Sequence, residues 1–336
     1  MSALLVADLH LTSNARDAYR WRLFPWLKEA IAKHGVTSLI ILGDLTEAKD
    51  YHSARLVNQI VDALSDLKRE GMLIWLLRGN HDGTDPACPY FRFLRQLPFC
   101  RYIDAPYMGP LEGRKTLFLP HTKEPEAWDH ALLQDAEVIF MHQTVSGAQS
   151  ETGISLEGMS AQALAAARRA EIWSGDVHVP QKIGGVQYVG APYPVRFGDK
   201  FKPRAVLLEK GMRQAKDLTT PHFARHSFVL AADADLDELK VQPGDQAKFR
   251  IRMTRAQFVG WQQAKARIVQ FCEKVGVDLC GLEVERVDEQ PKIRARGGKP
   301  QQARTPQQEL VAWCERQKIE PALAESGQAL LLSALK

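Results

Sequence analysis

Aspartate and histidine recur in this chain just after short aliphatic runs: Asp8 and His10; Asp44; Asn80, His81 and Asp82; His142; Asp176 and His178. Carboxylate and amide oxygens mixed with imidazole nitrogens, and no thiolate among them, suit Mn, Fe or Zn and allow two cations to share one carboxylate. Taken singly, each group is weak: an Asp-x-His pair is usually two surface residues, and a lone histidine such as His142 is more often a hydrogen-bonded neighbour than a ligand. Their joint occurrence, five clusters in order behind five apolar runs, carries the reading.

The runs that must position them are "ALLVADLH" (3–10), "TSLIILGDLTE" (37–47), "LIWLLRGNHD" (73–82), "EVIFMHQ" (137–143) and "EIWSGDVH" (171–178), each a buried-strand pattern ending in polar residues. Helical patterns over 18–35 and 53–71 separate the first three, the second of them closed by a glycine. Strand, helix, strand implies right-handed crossovers on a sheet, and ligands of such sheets gather beyond the carboxyl ends of the strands. Five loops distant in sequence therefore converge on one site. A second sheet is expected from 115–121, 186–192 and 204–211.

Composition shifts near His226, where strand patterns alternate with one amphipathic helix and suggest a small βαβ-like domain. The polar, basic stretch "DEQPKIRARGGKPQQARTPQQ" reads as a linker. Beyond it, Thr305 with Gln308 forms a capping-box-like start, and Leu310, Val311 and Trp313 give the tail an apolar stripe. The expected division is 1–210, 222–288, 289–304 and 305–336.

At 336 residues, 45% hydrophobic and 25% charged, the chain has ordinary globular composition and length for roughly two domains. Its start, "MSALLVADLH", lacks a basic region and reaches a charge at Asp8, which excludes a signal peptide or membrane span there and predicts a cytoplasmic protein. Five scattered cysteines without a CxxC pair argue against a disulfide framework or a thiolate-bound zinc. A net charge of +4 tolerates a polyanionic partner without requiring one.

The series Asp-x-His, Gly-Asp, Gly-Asn-His-Asp, His and Gly-x-x-His resembles the calcineurin-like metallophosphoesterases over roughly residues 1–205. The resemblance implies an α/β fold of four layers, α/β/β/α, with a small α+β capping domain and a C-terminal helical tail. It implies two divalent metal ions, with Asp8, His10 and His178 on one, Asp44 shared, and Asn80 and His142 on the second. His81 would be the catalytic proton donor, and a two-metal-activated hydroxide the nucleophile. Where the family carries Gly-His-x-His this chain has "GDVH", so Asp176 replaces a histidine. Asp176 is expected to ligate and to favour Mn2+ or Mg2+ over zinc; the alternative makes it a partner of His142 or of a water. Glu47 stands where DNA-cutting members often have histidine; His52 either approaches the site or flanks the next helix, and His121 is expected to line the cleft without binding metal.

"GDVHVPQ" followed by "VQYVGAPYPVRFGD" is similar to the SbcD-type DNA repair exonuclease subunits. That narrower resemblance implies a Mn2+-dependent DNA exonuclease or endonuclease, with 1–210 the nuclease domain, 222–288 a DNA-orienting cap, 289–304 a basic linker and 305–336 a segment binding a coiled-coil ATPase of SbcC type. A homodimer is implied as well, with Trp21, Phe24 and Trp26 as a candidate face or else core, and the compact length suggests a phage version working in host cytoplasm. The basic stretches 199–204 and 292–304 could contact phosphates or be solvated loop and linker, and Tyr193, Arg196 and Phe197 could stack on or clamp a nucleotide, the alternative for the aromatics being core. The rival readings are a phosphodiesterase for small nucleotide-like substrates and, more weakly, a non-catalytic scaffold.

Overall fold

In the computed structural model, which describes residues 2–287 together with Leu310, Val311, Trp313, Cys314 and Gln317, the aliphatic runs become strands buried on both faces. β1 (Ala3–Val6), β2 (Ser38–Leu42), β3 (Leu73–Leu77) and β4 (Cys100–Ile103) pair in parallel. Helices α1 (Leu23–His34) and α2 (Ala54–Asp66) make the crossovers. Alternate side chains part to opposite faces: Leu4, Val6, Leu39, Ile41, Ile74 and Leu76 enter the core under the helices. Ala3, Leu5, Ile40, Leu42, Trp75 and Leu77 enter a second core between two sheets.

Both helices differ from their sequence patterns. The turn before α1, Ala15–Arg22, is 3-10 rather than α. With three residues per turn, Asp17 and Arg20 fall on one side, where both are buried and paired at 3.5 Å. Ser53 caps α2 through its hydroxyl, but α2 ends at Asp66, and the chain passes through 67–70 outside the helix before it reaches Gly71. Phe24 is buried, Trp21 stacks on it with ring centroids 5.6 Å apart, and Trp21 and Trp26 pack on the same core. The aromatic group thus serves that core.

The second sheet holds β5 (Tyr107–Leu111), β6 (Arg114–Leu119), β7 (Val138–His142), β8 (Glu171–Gly175), β9 (Gln181–Ile183) and β10 (Val186–Tyr188), in the order β5-β6-β7-β8-β10-β9. Its outer face is covered thinly, by the six-residue α3 (His130–Asp135) and the loops around Met159 and Leu164. The chain then returns to the first sheet as β11 (Arg204–Glu209) and β12 (Gln214–Thr219), so the segment expected in the second sheet at 204–211 pairs antiparallel with β1 instead. Alternation explains the placement: Ala205 and Leu207 join the helix-side core, Val206 and Leu208 the core between sheets, and β11 closes the edge that β1 would otherwise expose. The result is the expected four-layer α/β/β/α arrangement.

A separate parallel sheet follows, β13 (Arg225–Ala231), β14 (Gln246–Met253) and β15 (Asp278–Arg286), with α4 (Trp261–Val275) as the β14–β15 crossover. Phe249, Ile251, Met253, Ile268, Phe271 and Cys272 form its own core. Arg225 ties this sheet to the body: its guanidinium donates to Tyr19 Oη at 3.0 Å and to the Val195 carbonyl at 2.5 Å. The expected linker at 289–304 lies outside the described residues, as does most of 305–336, of which Leu310, Val311, Trp313 and Cys314 are helical. Among the described residues no helix is long and apolar enough to cross a membrane.

Candidate metal centre

β1, β2, β3, β7 and β8 all end at one cleft of about 220 Å³ whose walls include His10, Asp44, Asn80, His81, Asp176 and His178. The loops enter it in conformations that L-residues seldom adopt: Asp8, His10, Asp44 and Asp176 have φ of +56°, +45°, +52° and +77°. Each such residue costs of order 1–3 kcal/mol and persists only where its surroundings over-determine it. They do so here. Asp8 N–H donates to the Gly43 carbonyl at 3.2 Å, His10 N–H to the Asp44 carbonyl at 2.8 Å, and Asp176 N–H to Asp8 Oδ1 at 2.9 Å. Arg20 and Tyr193 donate from below to the His10 and Leu9 carbonyls.

The strain aims the donor atoms inward. His10 and His178 bring their Nε2 atoms to 3.1 Å. Asp44 lies between two imidazoles, Oδ2 at 3.5 Å from His10 Nε2 and Oδ1 at 3.3 Å from His142 Nε2. The buried His142 ring donates from Nδ1 to the Leu42 carbonyl at 2.6 Å, which leaves Nε2 free to face Asn80 Oδ1 at 3.4 Å and Asp176 Oδ1 at 3.6 Å. Asp176 Oδ2 accepts from Thr144 Oγ1 at 2.7 Å, so its other oxygen is the one turned to the centre.

These residues fit a pair of divalent cations. Asp8 Oδ2 is buried with no hydrogen-bond partner, and two facing imidazole nitrogens at 3.1 Å cannot satisfy one another if both carry lone pairs. Two tight groups of possible ligands, Asp8 with His10 and His178, and Asp8 with Asp44 and His142, share the Asp8 carboxylate. The protein's own charges respond to this crowding. Burial would raise Asp44, but His142, His10 and His81 hold its carboxyl well below the ordinary range. Burial raises Asp8, with Asp44 adding to it, and His142 is lifted well above the usual imidazole value by Asp44, Asp176 and Asp8 despite its burial.

His81 stands beside the centre. Its backbone N–H donates to Asp44 Oδ1 at 2.9 Å, and its Nδ1 lies 3.0 Å from the Glu47 carbonyl. Asp82 is wholly buried but serves the backbone, accepting from Leu45 and Gly79 N–H groups at 2.8 Å each; burial, then the Asp44 charge, pushes it up to about 6.

Other expected neighbours fall elsewhere. His52 flanks α2, its ring 4.4 Å from that of Tyr90. His121 sits behind His142, ring centroids 6.2 Å apart, and is not among the residues lining the cleft. Tyr193 is core, Phe197 lies under the Arg225 guanidinium at 4.1 Å, and Arg196 alone of the three lines the cleft. Two acids found no place in the sequence reading as contacts of candidate ligands: Glu47 Oε2 is 2.7 Å from His10 Nδ1, and Glu151 Oε1 is 2.6 Å from His178 Nδ1. The His178 contact holds Glu151 down to about 2. Glu47, three residues after Asp44, carried a signal; Glu151, in a long polar loop, carried none.

Comparison with known proteins matches residues 1–189 to the family described as calcineurin-like phosphoesterase. Exonuclease subunit 1 of Enterobacteria phage T4 is 25% identical over 218 residues, 61% of this chain, and the match spans 63% of the length of that curated relative. Similar solved structures include a dimetal phosphatase from Danio rerio, 11% identical with a TM-score of 0.40 over 66% of this chain and 99% of the other. A Pseudomonas putida nuclease is 18% identical, with a TM-score of 0.33 over 64% of this chain and 87% of the other.

Proposed function

Because the chain belongs to the calcineurin-like phosphoesterase family, and is thereby a hydrolase of phosphoester bonds, we propose that its substrate is DNA and that it is the nuclease subunit of an SbcC/SbcD-like complex. The observation that carries the chemistry is Asp44, one carboxylate presenting an oxygen to each of two imidazoles. The match to an exonuclease subunit of a phage supports the choice of DNA and of a partner subunit.

In this reading Asp8, His10 and His178 would hold one cation, Asn80, His142 and Asp176 the other, and Asp44 both. When bound, the pair supplies charge neutralisation at the phosphate and a nucleophile drawn from water at neutral pH. The carboxylate at Asp176, in place of imidazole, suits a harder ion, and we assign Mn2+ with Mg2+ as the substitute.

The chain's own groups do the rest. The Glu47 carbonyl accepts the Nδ1 proton of His81, so when the ring carries a proton on each nitrogen it is the one on Nε2 that passes to the departing sugar oxygen. Arg196, the one Arg or Lys lining the cleft among the described residues, faces phosphate oxygens not held elsewhere. The sheet β13–β15 with α4 serves as the cap that orients DNA, and 305–336 engages the coiled-coil ATPase. The protein works in the cytoplasm, that of the host if it is phage-encoded.

The test is degradation of end-labelled linear duplex DNA with Mn2+, beside a chromogenic phosphodiester and the His81→Ala variant. Cleavage of both substrates, with DNA cleavage lost in the variant at unchanged metal content, is the expected result. Hydrolysis of the small diester alone, persisting after an SbcC-type ATPase is added, would replace this reading with a small-substrate phosphodiesterase. Full turnover by His81→Ala would remove His81 from the mechanism.

A further inference from the structure

We propose that Glu47 and Glu151 are positioning residues of the metal centre, each holding one imidazole by Nδ1 so that the Nε2 atoms of His10 and His178 meet at a single cation. The proposal rests on the cation-binding reading of the cleft and goes beyond it, because it concerns groups that touch no cation themselves.

The geometry is matched on the two sides. Glu47 Oε2 lies 2.7 Å from His10 Nδ1 and Glu151 Oε1 lies 2.6 Å from His178 Nδ1, while the opposite nitrogens of the same rings converge to 3.1 Å. Both Nδ1 atoms are buried, and neither has an aligned hydrogen bond to any other group, the two glutamate contacts lying off the N–H axis. Each carboxylate is therefore the acceptor at hand for its ring. Asp199 also approaches His178, but its Oδ2 already accepts from the N–H groups of Val195 at 2.9 Å and Arg196 at 2.8 Å. A carboxylate behind a ligating imidazole fixes the tautomer, turns the ring and raises its basicity, and losing it typically costs about 10–100-fold in metal affinity.

The loop that delivers Glu151 is built for a fixed position. It leaves β7 and closes on itself through bridges between Val145 and Met159 and between Gln149 and Ser155. Its tip turns at Gly153, φ +77°, with Ser150 N–H donating to the Ile154 carbonyl at 2.8 Å. Gln181, the first residue of β9, holds the neck by two bonds to the Gln149 backbone, each 2.8 Å. Glu151 is thereby held at 13% side-chain exposure, against 48% for Glu47, so water screens the Glu47 contact more and Glu151 has the larger effect.

The experiment is calorimetric titration of the metal-free full-length chain with MnCl2, with Mn2+ electron paramagnetic resonance as a second readout, for Glu151→Ala, Glu151→Gln, Glu47→Ala and His178→Ala. His178→Ala should abolish one of two binding events. Glu151→Ala should weaken that same event about 10–100-fold and Glu47→Ala less, with the other event unmoved and Glu151→Gln recovering part of the loss, since its amide oxygen keeps an acceptor beside Nδ1. If His178→Ala removes the event while both alanine variants at the glutamates bind within about twofold of wild type, the proposal is overturned and the cation site stands. If His178→Ala binds as wild type does, the site reading fails and takes the proposal with it.

Discussion

Adding one methyl group at Gly43 separates backbone strain from site geometry. Gly43 joins the end of β2 to Asp44 with φ +82°, and a Cβ there would overlap the His142 ring and the Gly79 backbone. Gly35, which closes α1, has φ +58° but open space around the position a Cβ would take, so it bears the conformational cost alone. That cost is about 1–2 kcal/mol for an L-residue in the left-handed region. Forcing an extra methyl into a filled space adds roughly 1–3 kcal/mol. Gly35→Ala should therefore lose about 1–2 kcal/mol and Gly43→Ala about 2–5 kcal/mol in urea unfolding of metal-free protein. The second readout is specific: displacing His142 should remove one Mn2+ of two in Gly43→Ala and neither in Gly35→Ala. Equal destabilisation with full metal stoichiometry in both variants would refute the close approach of Gly43 to His142, and with it the placement of the second cation.

Two further outcomes follow from surface charge and burial. Lys200 and Lys202 are exposed and unpaired among the described residues, whereas nearby Arg204 is bound to Asp217 at 2.7 Å. If the first two lie along the DNA path, replacing both with Ser should lower the slope of log K against log salt for duplex binding by about 1.8, at roughly 0.9 per phosphate contact, with turnover of a small diester unchanged; an unaltered slope removes them from the path. Burial pushes the Cys100 thiol up to about 12, while Cys88 is exposed. Iodoacetamide at pH 8 should therefore label Cys88 in the native protein and Cys100 only after unfolding, and native labelling of Cys100 would contradict the packing of β4.

The strands were legible because a strand buried on both faces is written as a largely apolar run, as in β1, β2, β3 and β7, and more weakly in β8, where Ile172 and Trp173 lie between Glu171 and Ser174. Which sheet a strand joins was not. "RAVLLE" reads the same in either sheet, and its place beside β1 follows from an open edge that only the assembled sheet defines. The 3-10 turn at Ala15–Arg22 escaped for a related reason. Its helical pattern is real, but Asp17 and Arg20 also meet groups far along the chain, Arg20 the Val195 carbonyl and Asp17 the Arg225 guanidinium at 3.6 Å.

The site divides along the same line. Groups at strand ends were readable, since a run of apolar residues fixes where its carboxyl end must point, and Asp8, His10, Asp44, Asn80, His142, Asp176 and His178 are brought together at that end. Asp176 was visible as a departure, and the structure explains how it can be tolerated: Thr144 takes one carboxylate oxygen, leaving the other toward His142 and Asn80. Glu151 could not be read that way, because its position depends on Gln181 gripping a loop from a different strand. The residues that touch the chemistry are thus written locally, by strand and turn. Those that aim them are written in contacts between loops, where one sequence position says nothing until its partner is known.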